Sequence, residues 1–145
     1  PHLVANELRR VCRPGGTIAM VNWNASGFIG QMFRTISNYI APTGMPSPVL
    51  WGDEETVRER LREGIARLEL NRRMFRFEYP FPPEGVVEFF RMNYGPTLRA
   101  FAALDPTAQE NLRRELTGLW SDHNLSEQGG TMVLSEYLEV VAYRE

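Results

Sequence analysis

Apolar positions near the start of the chain recur at helical spacing. Val4, Leu8, Val11 and Cys12 stand at i, i+4, i+7 and i+8, which predicts an amphipathic helix over residues 3–12. Arg9, Arg10 and Arg13 crowd its last turn, where cations suit the negative end of the helix dipole. Pro14-Gly15-Gly16 stops it, and the pattern changes to the nearly continuous apolar run Thr17-Ile18-Ala19-Met20-Val21. A run without alternation predicts a strand covered on both faces. Helix, tight turn and buried strand together point to an α/β layer architecture.

Ser26 is placed to cap a second helix over 27–40, whose face of Phe28, Ile29, Met32, Phe33, Ile36, Tyr39 and Ile40 is unusually wide. The stretch 42–52 holds Pro42, Gly44, Pro46, Pro48 and Gly52 and reads as a loop. Asp53 caps a short helix that Gly64 ends. Residues 65–79 have strand character with a change of phase: Leu68 and Leu70 share one parity, Phe75, Phe77 and Tyr79 the other. A bulge near Asn71-Arg72-Arg73 accounts for the flip, and so do two separate strands. Pro82-Pro83 opens a helix to Asn93 with Val86, Phe89 and Phe90 inward, Gly95-Pro96 breaks it, and a short helix runs to Leu104. Asp105-Pro106 starts the clearest amphipathic helix, marked by Ala108, Leu112, Leu116, Leu119 and Trp120. Asn124–Gly130 is a polar loop and Thr131–Tyr143 a closing strand. The order is α-β-α-α-β-α-α-α-β, with no linker dividing it, so the expectation is one structural unit over residues 1–145.

Composition adds exclusions. The 145 residues are 43% hydrophobic and 23% charged, with 16 basic residues, all arginine, against 18 acidic ones and a net charge of −2. Such a balance gives no bulk attraction to phosphate backbones or anionic lipids, and the arginine pairs 9/10, 72/73 and 113/114 are scattered and read as solvated faces. No apolar run has membrane length. The expected partners therefore include neither nucleic acid nor membrane. Cys12 is the sole cysteine, which rules out an intrachain disulfide or a cysteine-based zinc site and suits a reducing, cytoplasmic setting. Pro1 is followed by no leader-like segment, and the chain reads as a piece of something longer.

Signatures of dinucleotide, phosphate, zinc-protease or serine-hydrolase chemistry are missing. His2 and His123 have no second ligand nearby in sequence and read as surface or helix-end residues. Asn22-Trp23-Asn24, two amides beside a large flat ring, stand at the carboxyl end of the first strand, where ligands of open α/β sheets bind. Those residues either face a ligand or form a strand-to-helix corner. The stripe carrying Phe28 and Met32 is either core or, in part, the lining of an apolar pocket.

Glu7-Leu8-Arg9-Arg10-Val11-Cys12-Arg13-Pro14-Gly15-Gly16, followed by Thr17–Val21, resembles the late motif of class I S-adenosylmethionine-dependent methyltransferases. In that family a Glu-x-x-Arg-Val-Leu-Lys-Pro-Gly-Gly helix leads into the fifth strand. Here Cys12 and Arg13 replace the Leu-Lys pair. The later pattern is similar to the small-molecule and quinone-type subgroup: an apolar helix, a Trp51-Gly52 loop before a charged helix, a Phe/Tyr-rich strand, and a Tyr94-Gly95-Pro96 break.

The resemblance implies a partial Rossmann-like sheet. Its three strands correspond to the family's fifth, seventh and sixth, the last two being antiparallel neighbours, and helices cover them. It implies the acceptor-side, carboxyl-terminal half of an enzyme that methylates a small apolar or aromatic molecule. Asn22, Trp23, Asn24, Phe28, Met32 and Tyr94 would be substrate-binding. The glycine-rich loop and acidic residues that grip the cofactor match no position here. S-adenosylmethionine is thus expected in the full-length enzyme and not in this fragment, which would be inactive alone. Methyl transfer leans on alignment more than on acid–base groups, and His123 or Tyr94 are the candidates should the acceptor need to lose a proton. A strand at 17–22 without its family neighbour would leave an apolar edge for a homodimer or swapped dimer. The alternative is a non-catalytic ligand-binding or dimerisation module on the same half-fold.

Overall fold

The computed structural model describes residues 2–40, 44 and 46–145. Pro42, assigned above to the loop, lies outside the described residues. The elements are α1 (His2–Val11), β1 (Thr17–Trp23), α2 (Phe28–Ser37), a 3₁₀ turn (Pro48–Gly52), α3 (Glu54–Arg60), β2 (Ile65–Tyr79), α4 (Pro83–Asn93), α5 (Gly95–Ala102), α6 (Pro106–Asp122) and β3 (Thr131–Arg144). The fold is mixed α/β, with six helices and a three-stranded antiparallel sheet of order β1-β3-β2 among the described residues. β1 pairs antiparallel with β3, Thr17 opposite Tyr143 and Trp23 opposite Tyr137.

Two compact units are built from separated stretches of chain. One is Pro1–Gly27, Met45–Met74 and Glu136–Glu145; the other is Phe28–Gly44 and Phe75–Ser135. β2 is one continuous strand of 15 residues, so two separate strands are ruled out. Its change of phase coincides with a change of core. Leu68 and Leu70 pack against the aliphatic core of the first unit, whereas Phe77 and Tyr79 meet Trp120 in the second.

In the first unit the sheet residues Ile18, Leu138, Val140 and Ala142 pack with Ala5 of α1 and Val57 and Leu61 of the α3 region. The Pro14-Gly15-Gly16 turn has left-handed Gly15 (φ 70°) after proline, and the Gly16 N–H donates to the Arg13 carbonyl at 2.9 Å. That is the pattern of a type II turn, which requires a residue free to take positive φ at its third position. The turn is fastened to β3: Gly15 N–H donates to the Arg144 carbonyl and Arg144 N–H to the Gly16 carbonyl.

One expectation for β1 is corrected. The strand is not covered on both faces: Ile18 is buried, but Ala19 is exposed and Val21 is 67% exposed. Of its odd-numbered residues Thr17, Ala19 and Val21 are exposed, while its even-numbered Ile18 and Met20 pack against the core. An apolar run therefore overstated the burial.

The second unit has an aromatic centre. Trp120 is 1% exposed and sits among Phe28, Phe90, Tyr79 and Phe77, with ring centroids 4.4, 5.2, 6.0 and 6.1 Å away. Leu112 and Leu116 of α6, Val86 and Val87 of α4, and Ile29 and Met32 of α2 are buried in this unit. Phe89, expected inward, is 42% exposed and lies against Tyr79 and Phe81; Val87 is the buried neighbour instead. α2 also stops earlier than predicted. Beyond Ser37 the chain tightens, with Asn38 and Tyr39 donating to the carbonyls of Thr35 and Ile36, the three-residue bonding that closes many helix ends.

Candidate functional site

The carboxyl end of β1 is the most organised polar region of the first unit. β3 and the 3₁₀ turn hold it in place. Gly52 packs on it so tightly that a Cβ there would stand 2.6 Å from the Trp23 carbonyl carbon and 2.7 Å from Asn24 Cα. The sequence Trp51-Gly52 thus serves a close backbone approach, one of the uses only glycine allows.

The three residues of the strand end have different roles. Asn24 is buried, and both ends of its amide are used inside the chain. Its Nδ2 donates to the Glu136 carboxylate, and its Oδ1 accepts from the Gly27 N–H at 2.6 Å. Asn24 therefore ties Gly27, just past the end of β1, to Glu136 of β3. Ile29 N–H, in the first turn of α2, donates to Ser135 Oγ at 3.2 Å. Trp23 is half-buried and meets Tyr137 edge-to-face, centroids 6.0 Å apart at 85°. Asn22 differs: its Nδ2 is buried with no hydrogen-bond partner. An unsatisfied buried amide donor costs about 1–3 kcal/mol, so it is a group in want of an acceptor.

Around this end lies a charged network that sequence reading did not single out. Arg72 Nε donates to Glu54 Oε1 at 2.8 Å, and its Nη1 lies 3.6 Å from the Glu136 carboxylate that holds Asn24. Asp53 accepts from Thr56 twice, from its hydroxyl at 2.6 Å and its N–H at 2.9 Å. The hydroxyl bond is the main reason the Asp53 carboxyl titrates below its ordinary value. Arg73 binds Glu139 through both Nε and Nη2. The available signal was that Glu136 and Glu139 are the two acidic positions of β3.

The remaining candidates lie in the second unit. Phe28 is 2% exposed, and its ring packs on Trp120 and on His123. Met32 is fully buried. Both are core in this unit, and the width of the α2 face reflects an aromatic centre to be filled. Tyr94 joins α4 to α5 in extended conformation, with Phe33 stacked 6.3 Å and Phe90 5.2 Å from its ring. Burial pushes its phenol pKa up, which makes it a poor base near neutrality. His123 Nδ1 is 3.0 Å from the Leu119 carbonyl, so that nitrogen is committed to the helix end.

Among the described residues no group of three or more His, Cys, Asp or Glu side chains is placed to hold a metal ion. No described helix is long and apolar enough to cross a membrane. The Gly15-Gly16 turn precedes its strand, and its Gly15 and Gly16 N–H groups are spent on the Arg144 and Arg13 carbonyls.

No family model matches the chain. It is similar to two uncharacterized proteins of Mycobacterium tuberculosis strain H37Rv. With Rv1405c it is 38% identical over 106 residues, 72% of this chain and 39% of the relative. With Rv1403c it is 32% identical over 123 residues, 82% of this chain and 45% of the relative. The chain thus spans less than half the length of the curated relatives it matches.

Proposed function

We propose that this chain is the acceptor-side portion of an S-adenosylmethionine-dependent methyltransferase acting on a small apolar or aromatic molecule, and that it is inactive alone. One observation carries the reading. A helix and a Pro-Gly-Gly turn lead into β1, and the strand order β1-β3-β2 is the order five, seven, six that the resemblance calls for, with antiparallel β3 in the middle. The longer relatives are compatible with a cofactor-binding half outside this chain.

On this reading the strand end orients the acceptor. The Trp23 ring offers a flat apolar surface on one face of β1, and the unpartnered Asn22 amide offers a hydrogen bond on the other. Such groups align a substrate without moving protons, which is what a displacement at a carbon already activated for transfer requires. Phe28 and Met32 support the acceptor side only as packing.

The test uses both the full-length protein that contains this segment and the isolated 145-residue chain. The longer protein is expected to bind S-adenosylmethionine and transfer its methyl group, and the short chain to bind none. Trp23→Ala in the longer protein should cut turnover at least about tenfold, roughly 1.4 kcal/mol of transition-state stabilisation, with a small change in thermal midpoint. Cofactor binding by the short chain, or none by the long one, rejects the reading.

A second reading, an association module, is favoured by β1 being an edge strand with Val21 exposed. It expects the isolated chain to form a homodimer or swapped dimer through residues 17–22. Light scattering that gives a monomer mass over a hundredfold concentration range would eliminate it.

A further inference from the structure

The first unit has a polar cavity of about 250 Å³ between α1 and α3, lined by His2, Asn6, Arg9, Glu59, Arg60, Arg62 and Glu63. We propose that it binds a small carboxylate, with the Arg60 guanidinium as its anchor. This does not rest on the methyl-transfer reading.

The central observation is Arg60 itself. It is 92% buried (8% exposed), and its Nη1 is buried without a hydrogen-bond partner. The guanidinium lies over the Trp51 ring, 4.5 Å from the centroid. Stacking fixes the plane of the fork but supplies no acceptor for Nη1. Arginine cannot shed its charge, so a desolvated guanidinium lacking an acceptor is a strong call for an anion. Asp53 is close enough to feel its charge, but Asp53 Oδ2 is engaged by Thr56.

The charges around the cavity fix the guest's sign and size. Three arginines, 9, 60 and 62, face two glutamates, 59 and 63, which leaves one positive charge. Glu63 is shared: its carboxylate is 4.0 Å from Arg9 and 3.8 Å from Arg62, and its carbonyl also accepts from Arg9. Arg9 further donates to the Asn6 side chain. Glu59 and Arg60 enter neither of these pairs, so the surplus charge belongs to the lining as a whole, and Arg60 is the member with a guanidinium nitrogen that lacks an acceptor. A single negative charge balances the lining, and a planar carboxylate matches the guanidinium fork. The volume suits a guest of a few heavy atoms and is below the range of ordinary cofactor pockets.

The test is calorimetric titration of the 145-residue chain with sodium acetate, at constant ionic strength set with sodium chloride. Saturable one-to-one binding in the millimolar range is expected. Arg60→Gln should weaken it at least about tenfold. Because that variant could unfold, two exposed lining residues provide independent readouts. Arg62→Ala should weaken acetate about two- to threefold, and Glu59→Gln should tighten it severalfold by removing a negative charge from the lining. A lost scaffold contact would not improve binding. Absence of saturation at 50 mM acetate, equal competition by chloride, or no gain in Glu59→Gln overturns the proposal.

Discussion

Asn22–Asn24 and the first turns of α2 adjoin in sequence, yet their side chains are used in opposite ways. At the strand end, polar groups are partly satisfied, one amide donor is left over, and a tryptophan stays half-buried. On α2, Phe28 and Met32 are sealed into an aromatic core with Trp120. The contrast separates two kinds of apolar surface. Large side chains that meet many partners at close range specify packing. A ring left half-buried at a strand end, as Trp23 is, is not consumed by packing in that way.

Replacement of Phe28 should have the largest effect. Phe28→Ala removes a ring that contacts both Trp120 and His123, and should cost about 3–5 kcal/mol in denaturant unfolding. A loss under about 1 kcal/mol would mean that α2 is not the core element described. Next is Gly52→Ala. The added methyl would sit 2.6 Å from the Trp23 carbonyl carbon, against backbone that cannot swing aside as a side chain would. Overpacking of this kind costs about 1–3 kcal/mol. It should also alter tryptophan fluorescence, because the 3₁₀ turn and the strand end move apart. Unchanged stability and emission would show that the corner is loose.

Trp23→Ala sharpens the comparison from the other side. The ring is half-buried with an edge contact to Tyr137, so the expected cost is about 1–2 kcal/mol, well under that of Phe28→Ala. A loss of about 3–5 kcal/mol would make Trp23 a core residue like Phe28 and erase the distinction.

Much of this was legible in the sequence, for reasons specific to each element. Helix starts were readable because Asp53 and Asp105 are caps whose side chains accept N–H groups three residues on. The Pro14-Gly15-Gly16 turn was readable because its geometry needs those residue types. β2 was legible as strand, and its phase flip was real, but its cause was not. One strand serves two cores, and periodicity alone cannot distinguish that from a bulge. The burial of β1 was misread because an apolar run shows what a strand could bury, not what is there to cover it. In the candidate site, the strand-end triplet was legible from its position. Glu136 and Arg72 were not, since their roles depend on β3 and β2 meeting β1's neighbourhood through the sheet. Arg60 was hidden for the same reason: nothing in a charged helical stretch reports that one of its arginines is buried.

The smallest effect compares the two helix caps. Asp53→Ala removes the acceptor for the Thr56 hydroxyl and N–H at the start of α3, and Asp105→Ala removes the acceptor for the Ala108 N–H at the start of α6. Each should cost about 1 kcal/mol at pH 7. Asp53 adds a pH dependence. Its folded carboxyl titrates below the ordinary value of 3.8, first because of the Thr56 hydroxyl bond, then the Thr56 N–H. A carboxyl with a depressed folded pKa contributes stability that is fully present above its unfolded pKa and lost as pH falls through the folded value. The difference between wild type and Asp53→Ala should therefore hold from pH 7 down to about pH 5 and shrink below pH 4. Chemical denaturation at pH 7, 5 and 3 measures it. A difference that stays constant to pH 3 would mean that Thr56 binds the carboxyl as readily in its protonated form, and that the cap does not depend on charge.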